Sequence, residues 1–165
     1  MRTAILPGSY DPITLGHLDI IRRAASLFDR AVVLVAVNDA KNYLLDTDSR
    51  LMLVRDAIRS LPNVTAERFD GYIVDYAAEC ESPVLVKGVR DEKDFAYERE
   101  MASYNRALSL RKFGTPLETV YLDAAETYAH VSSTLVRTLI AVGGSIDGLT
   151  PNEELLRQYL PIEKR

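Results

Sequence analysis

Short apolar segments alternate along the chain with longer segments in which apolar residues recur at helical spacing. The short segments have the length and the β-branched content of strands, and they lie at residues 3–6, 31–37, 64–69, 84–86 and 119–122. The second of them is apolar without interruption, which is typical of a central parallel strand that is covered on both faces. The alternation predicts an α/β fold, a single-domain doubly wound (Rossmann-like) sheet of about five parallel strands.

The segments between these strands predict the helices. Helical spacing of apolar residues indicates helices over 17–28, 48–61, 73–80, 95–113 and 132–142. Residues 150–153 (Thr-Pro-Asn-Glu) fit a capping box with Pro151 at the first helical position, and they predict a last helix to about residue 160. No internal repeat or linker interrupts the pattern, so we expect one domain over residues 1–165.

Composition and charge limit the partners that the chain can bind. Of its 165 residues 47% are hydrophobic, which suffices for a full core without disulfides or metals. The net charge of -4 disfavours nonspecific binding to nucleic acid or to anionic membranes, so an anion site must be a local pocket. Cys80 is the only cysteine, which excludes an intramolecular disulfide and favours a plain core or boundary thiol. The sequence shows no membrane span or secretion signal, and we therefore expect a cytoplasmic protein.

Residues 8–17, with the sequence Gly-Ser-Tyr-Asp-Pro-Ile-Thr-Leu-Gly-His, carry the strongest chemical signal. They join the first predicted strand to the first predicted helix, and a helix start presents free N–H groups and the positive end of the helix dipole to an anion. His17 lies in that field, which favours the neutral imidazole, and a neutral imidazole still donates an N–H to a phosphoryl oxygen. A histidine at a helix start is more often a surface residue or a cap, so this segment alone does not establish a phosphate site.

Further basic and hydroxyl side chains follow the other predicted strands. They are Ser9, Lys41, Lys87, Arg90, Ser132, Ser133 and Thr134. The last three, which we call the hydroxyl triplet, begin a helix and form a second anion site of the same kind. Because the carboxyl ends of parallel strands meet at one edge of a sheet, we expect a single crevice whose three basic residues neutralise a polyphosphate.

Each of these residues also has an ordinary structural interpretation. The hydroxyl triplet is more often a helix cap than a phosphate cradle, and Lys41 in a polar loop is most often solvated. Arg90 precedes three acidic residues at 91, 92 and 94, with which it can form a surface ion pair. The interpretation as a binding site is favoured because all of these residues fall at the same predicted end of the sheet.

The long helix at 95–113 carries two kinds of side chain. Tyr97, Met101 and Leu108 are spaced to face the core or a partner subunit. Glu98 is expected as an exposed carboxylate near the mouth of the crevice, where it accepts hydrogen bonds from a ribose or a base.

Three motifs together resemble those of the bacterial phosphopantetheine adenylyltransferases, which are nucleotidylyltransferases with a (His/Thr)-x-Gly-His motif. The motifs are the segment 8–17, Lys-Gly-Val-Arg at 87–90 with Asp-Phe-Ala-Tyr-Glu at 94–98, and Val-Ser-Ser-Thr-Leu-Val-Arg at 131–137. The resemblance covers nearly the whole chain, and Thr14 at the first motif position distinguishes it from related cytidylyltransferases, which usually carry histidine there.

The resemblance implies transfer of an adenylyl group from ATP to 4'-phosphopantetheine, which yields dephospho-coenzyme A and pyrophosphate in coenzyme A biosynthesis. It also implies Mg²⁺ held through the ATP phosphates rather than by protein ligands. The expected assembly is a homohexamer, a dimer of trimers, with no nucleic-acid or membrane partner.

The resemblance also implies roles for single residues. His17 is expected to stabilise the transition state at the α-phosphate, with Ser9, Lys41 and Arg90 as further catalytic residues. The acceptor phosphopantetheine is expected to bind Ser9, Lys41, Lys87 and the backbone of Ile73. The residues that match ATP-binding positions are Ser9, Tyr10, His17, Gly88, Val89, Arg90, Glu98, Tyr128, Ala129, His130, Val131, Ser132, Ser133 and Thr134. Lys87 and His130 depart from the family pattern, which has arginine and an aromatic residue there.

Two other functions remain open from the sequence. One is a nucleotidylyltransferase that uses a different phosphorylated acceptor, such as a sugar or alcohol phosphate. The other is a noncatalytic nucleotide-binding sensor on the same sheet, which would bind ATP without releasing pyrophosphate.

Overall fold

The computed structural model describes residues 1–38, 40–81 and 83–161, and in this part of the chain five parallel strands form one sheet. The strands are β1 (Thr3–Gly8), β2 (Arg30–Ala36), β3 (Val64–Phe69), β4 (Pro83–Val89) and β5 (Glu118–Asp123), in the spatial order β3-β2-β1-β4-β5. The helices are α1 (Leu15–Leu27), α2 (Thr47–Ile58), α3 (Ile73–Ala78), α4 (Glu92–Phe113), α5 (Ser133–Ala141) and α6 (Glu153–Tyr159), with a 3₁₀ turn at Glu126–Tyr128. The predicted fold class is confirmed, and residues 39, 82 and 162–165 of the predicted domain lie outside the described residues.

Helices cover both faces of the sheet because its central strands are apolar on both sides. Ala4 and Leu6 of β1 pack on one face in a cluster to which α1, α2, α5 and α6 contribute. Ile5, which points the other way, packs with Val74 of α3 and with Leu85 of β4 in the second cluster. Each large apolar side chain buried in this way stabilises the fold by about 1.5–3 kcal/mol. None of the helices in the described ranges has the length and hydropathy to span a bilayer.

Strands β1 and β4 separate toward their carboxyl ends. β1 pairs with β2 as far as Gly8, whereas its pairing with β4 stops at Ile5. The prediction that Pro7 and Gly8 end the first strand is therefore wrong, since β1 includes both residues. Proline is tolerated in a strand where no partner needs its missing N–H. The Pro7 carbonyl accepts instead from the ammonium of Lys87, at 3.4 Å. The resulting gap is the switch point of a doubly wound sheet, where such folds bind ligands.

Two further differences from the sequence prediction concern the end of β4 and the start of the last helix. β4 continues to Val89, so that Lys87 and Gly88 lie within the strand rather than after it. The last helix is capped by Asn152, whose side chain accepts the N–H of Leu155 at 3.0 Å, and not by Thr150 as the capping box predicted. Asparagine is as good a helix cap as threonine, so Asn152 can satisfy the first N–H groups of α6 in place of Thr150.

Candidate active site

A cavity of about 280 Å³ opens at the gap between β1 and β4. Its lining brings together the starts of α1 and α5, the end of β4 and one face of α4. Among the predicted site residues it contains His17, Gly88, Arg90, Glu98, Tyr128, Val131 and the hydroxyl triplet. We call it the first cavity.

Two helix N-termini meet at the first cavity. At the start of α1, Thr14 accepts the N–H of His17 at 3.2 Å, while the N–H of Gly16 has no intrahelical acceptor. At the start of α5, the Ser132 hydroxyl accepts the N–H of Leu135 at 3.1 Å, which makes Ser132 a cap as well as a lining residue. In α1 the N–H of Leu15 donates to the Leu149 carbonyl at 2.9 Å, so the N–H of Gly16 is the one left for an anion, whereas in α5 the N–H groups of Ser133 and Thr134 precede the capped one. Both helix dipoles stabilise negative charge in the same space.

The imidazole of His17 is held in one orientation by its own helix cap. Its Nδ1 accepts the backbone N–H of Thr14 at 3.1 Å, and the ring packs edge-on against Tyr10 with a centroid distance of 5.1 Å. Because Nδ1 is the acceptor, the proton of the neutral ring is on Nε2. His17 thus offers one N–H donor to the cavity that it lines.

His17 is neutral over the physiological pH range. Burial, and after it the charges of Arg90 and Lys87, lower the pKa of the imidazole from 6.5 to about 4. The unfolded chain binds a proton at this histidine below about pH 6.5, whereas the folded chain does so only near pH 4. The free energy of unfolding should therefore decrease as the pH falls through this window.

A titration followed by NMR tests this protonation state. We expect the Cε1–H resonance of His17, assigned by its absence in His17→Gln, to titrate with a pKa of about 4. Arg90→Gln should raise that pKa, because it removes the nearby positive charge that lowers the His17 pKa more than Lys87 does. A His17 resonance that titrates near 6.5 in the wild-type chain would contradict the assignment.

A second cavity of about 180 Å³ adjoins the first, and His17, Ile20, Gly88 and Glu98 line both. Lys87 lies in it and forms an ion pair with Glu98 at 3.0 Å. The expectation that Glu98 is exposed is wrong, because its side chain is only 16% exposed and turns toward Lys87. The pair places a positive side chain in the second cavity next to a negative one that lines both cavities.

Arg90 is paired as well, with Asp94 one helical turn along at 3.3 Å. The ion pair that the sequence left open for Arg90 is therefore formed, and both residues line the first cavity. Such a partly exposed pair is worth about 1 kcal/mol or less, so an incoming phosphate can compete with Asp94 for the guanidinium.

Ser9 and Lys41 lie in a third cavity of about 240 Å³, together with Arg137. Arg137 connects this space to the first cavity, since it donates to the Thr134 hydroxyl at 3.1 Å and to the Asp11 carbonyl at 2.7 Å. The predicted basic residues thus lie in three neighbouring cavities, two of which share their lining.

The remaining predicted residues are distributed differently. Tyr10 lines the second cavity, and its hydroxyl donates to the carbonyl of Leu6, another lining residue, at 2.9 Å. Val89, Ala129, His130 and Ile73 line none of the three cavities in the described part of the chain. Val89 is buried in β4, and Ile73 begins α3 and packs against the second core cluster.

Three polar residues at this site were not selected from the sequence. Arg137 belongs to the motif 131–137, three residues after Thr134, so its position on the same helix face was available as a signal. Arg50 interrupts the apolar face of α2, and a charged residue at a core-facing position was available as a signal. Asp11 had no such signal, because its partners Leu44 and Leu45 are distant in the sequence.

Gly88 permits the close contact between β4 and α1 on the border of the first two cavities. A Cβ at this position would lie 2.8 Å from Cγ1 of Ile20. We expect Gly88→Ala to lower the free energy of unfolding by about 1–3 kcal/mol through overpacking, as measured by denaturant unfolding. The double variant with Ile20→Ala should lose less than the sum of the two single losses, and strict additivity would show that the two positions do not clash.

Comparison with known proteins identifies the family of this chain. The sequence matches the cytidylyltransferase-like family over residues 5–139. It is 44% identical over 162 residues to the phosphopantetheine adenylyltransferase of Moorella thermoacetica, with 96% of this chain and 98% of that protein covered. The enzyme of the same name from Clostridium beijerinckii is 42% identical over 153 residues, which cover 93% of each chain.

One solved structure shows how far the fold is shared. The protein from Vibrio parahaemolyticus, described as a candidate nicotinate-nucleotide adenylyltransferase, superimposes with a TM-score of 0.63 at 20% identity. The superposition covers 96% of this chain and 93% of that one, and it supports the fold alone. From the sequence matches, the chain belongs to the cytidylyltransferase-like family and, within it, to the bacterial phosphopantetheine adenylyltransferases.

Proposed function

We propose that this protein transfers the adenylyl group of ATP to 4'-phosphopantetheine, forming dephospho-coenzyme A and pyrophosphate. The name shared by the relatives supports the substrates. The observation that carries the chemistry is the meeting of two helix N-termini and the Nε2–H of His17 in one cavity. That cavity binds the triphosphate, and the two neighbouring cavities hold Lys87, Lys41 and Arg137 for the phosphate of the acceptor.

The reaction needs positioning and charge stabilisation rather than a general base. A phosphate monoester is largely dianionic near neutral pH, because its second pKa is about 6. One of its oxygens attacks the α-phosphorus of ATP, a new P–O bond forms, and the bond to the β-phosphate breaks in line to release pyrophosphate. His17 donates to the α-phosphate oxygen as charge increases there, and the helix N-termini stabilise the departing pyrophosphate.

A pyrophosphate-release assay tests the proposal. With ATP, Mg²⁺ and 4'-phosphopantetheine we expect turnover, and with CTP or with sugar and alcohol phosphates we expect little. Turnover with another acceptor alone would favour a different nucleotidylyltransferase. ATP binding without pyrophosphate release for any acceptor would favour the nucleotide-binding sensor.

We propose that Mg²⁺ enters with the nucleotide and is held by its phosphates. In the described ranges no group of three or more His, Cys, Asp or Glu side chains is placed to hold a metal ion. The carboxylates at the first cavity, Asp94 and Glu98, are engaged by Arg90 and Lys87, which suits a cation held by phosphates. When bound, the ion would neutralise charge on the triphosphate.

We further propose a homohexamer, a dimer of trimers, in the cytoplasm, where ATP is supplied. Self-association is supported by large apolar side chains that α4 leaves exposed in the single chain, namely Phe95, Tyr97, Met101 and Tyr104. Leu108, which the spacing also directed to the core or a partner, packs against the second core cluster. Sedimentation equilibrium of the wild-type chain and of Met101→Glu tests the assembly, and we expect the variant to dissociate.

A further inference from the structure

The side chain of Arg50 is the largest among the fully buried ones, with none of its surface exposed. It lies near the start of α2, next to apolar residues that pack on the sheet. A guanidinium stays charged in a protein interior, and burying a charge is costly unless it is paired and hydrogen-bonded. Over residues 1–38, 40–81 and 83–161, no carboxylate lies within ion-pair distance of it.

The guanidinium instead contacts neutral groups from four separate segments, while its Nε has no hydrogen-bond partner in the described part of the chain. Its Nη1 donates to the Ser9 carbonyl at 2.7 Å and to the Ala36 carbonyl at 3.0 Å. Its Nη2 donates to the Thr47 hydroxyl at 2.9 Å, and its carbon lies 3.9 Å from the centre of the Tyr43 ring. A single side chain thus joins the loop after β1, the end of β2, the start of α2 and the loop that carries Lys41.

Two of these contacts reach the residues that face the third cavity. Ser9 lines that cavity and is held through its carbonyl, while Tyr43 lines it two residues after Lys41. The same loop is also held by the buried carboxylate of Asp11, which accepts the N–H groups of Leu44 and Leu45 at 2.7 and 2.9 Å. Two buried side chains, Arg50 and Asp11, therefore hold the loop that carries Lys41.

We propose that Arg50 is a positioning residue, which sets Ser9 and Lys41 at the distance that the acceptor phosphate requires. The inference rests on the proposed function, because it concerns the same reaction. It also gives a physical reason for a costly buried charge at this position: a planar guanidinium with a fixed fork of donors reaches two carbonyls and a hydroxyl while stacking on a ring. No apolar residue or lysine makes all four contacts.

Arg50→Lys is the first test, because it keeps the charge and most of the apolar stem. An ammonium cannot span the Ser9 and Ala36 carbonyls and the Thr47 hydroxyl together. We expect the KM for 4'-phosphopantetheine to rise about tenfold and kcat to fall about tenfold, since small displacements of positioning groups cost this much or more. The KM for ATP should stay within about threefold, because none of the four residues that Arg50 contacts lines the first cavity, where the triphosphate is proposed to bind.

Val54→Ala is the matched control. Val54 lies one turn further along α2 and is fully buried, but it belongs to the apolar cluster and lines none of the three cavities. We expect it to lower Tm without changing either KM. If Val54→Ala and Arg50→Lys change the KM values alike, or if Arg50→Lys changes neither KM nor kcat, the inference is overturned.

Tyr43→Leu keeps the test open if Arg50→Lys does not fold. It removes the ring under the guanidinium and leaves the hydrogen bonds in place. We expect a threefold to tenfold weaker acceptor interaction with ATP unchanged, and an unchanged acceptor interaction would overturn the inference.

Calorimetric titration of the same proteins with 4'-phosphopantetheine separates this inference from the proposed function. Tight acceptor binding by Arg50→Lys overturns the role of Arg50, whatever the rate. A wild-type chain that binds the acceptor but releases no pyrophosphate overturns the proposed function and leaves the affinity comparison valid. A wild-type chain that does neither overturns both.

Discussion

His17→Ala should lower kcat by about 10² to 10³-fold while the fold remains intact. Loss of a single oxyanion donor typically has this effect, because the interaction is made mainly in the transition state. The only donor that the neutral ring offers is Nε2–H, since Nδ1 accepts the backbone N–H of Thr14. The substitution removes that donor from the first cavity. Steady-state kinetics and the circular dichroism spectrum measure the two parts of this expectation.

Two further substitutions separate the donor from the helix cap. In His17→Asn the amide oxygen replaces Nδ1 as acceptor for Thr14, but no group reaches the position of Nε2. In His17→Gln the amide N–H reaches approximately that position. We expect Asn to be as inactive as alanine but more stable, and Gln to recover part of kcat. Near-normal turnover of His17→Ala would exclude the transition-state role.

The sequence predicted the sheet because its central strands carry an unusually clear signal. Helices pack on both faces of β2, so successive side chains on both sides of the strand must be apolar. Such an uninterrupted apolar run is typical of a parallel sheet. The ends of the strands were less predictable, because tertiary contacts set them. Lys87 lies within β4 although it is charged, since Glu98 and the Pro7 carbonyl satisfy its ammonium there. Neither partner is a neighbour in the sequence.

The same distinction applies to the site. His17 and the hydroxyl triplet were predictable, because a helix start after a strand has a local sequence pattern. The separation of Lys41 from His17 into different cavities was not, because the loop that carries Lys41 is placed by Asp11 and Arg50 through contacts between distant residues. Contacts of this kind leave no periodic pattern, and Asp11 in particular looks like an ordinary loop aspartate.

The pairing of the basic residues determines how each is expected to act. Lys87 and Arg90 are engaged by Glu98 and Asp94, so a phosphate must compete with a carboxylate for each of them. Lys41 has no carboxylate partner among the described residues, and its backbone alone forms a hydrogen bond, to the Asn38 carbonyl. Its positive charge is therefore the most readily available of the three to an acceptor phosphate.

Lys41→Ala should accordingly lower kcat/KM for 4'-phosphopantetheine by about 100-fold and leave the KM for ATP nearly unchanged. A hydrogen bond to a charged group contributes about 1.5–3 kcal/mol, and 1.4 kcal/mol corresponds to a factor of ten. Because the lysine is exposed, the loss should shrink as salt screens the wild-type interaction. Steady-state kinetics at several ionic strengths measure both effects.

Two variants control for charge and for geometry. Lys112→Ala removes the same charge from the far end of α4, where the ammonium pairs with Asp75 and lines none of the three cavities, and it should leave both KM values unchanged. Lys41→Arg keeps the charge on a longer side chain and should retain activity within about tenfold. If Lys41→Ala binds and turns over the acceptor like the wild type, the phosphate of the acceptor does not reach the third cavity. The second cavity, with Lys87, would then hold it alone.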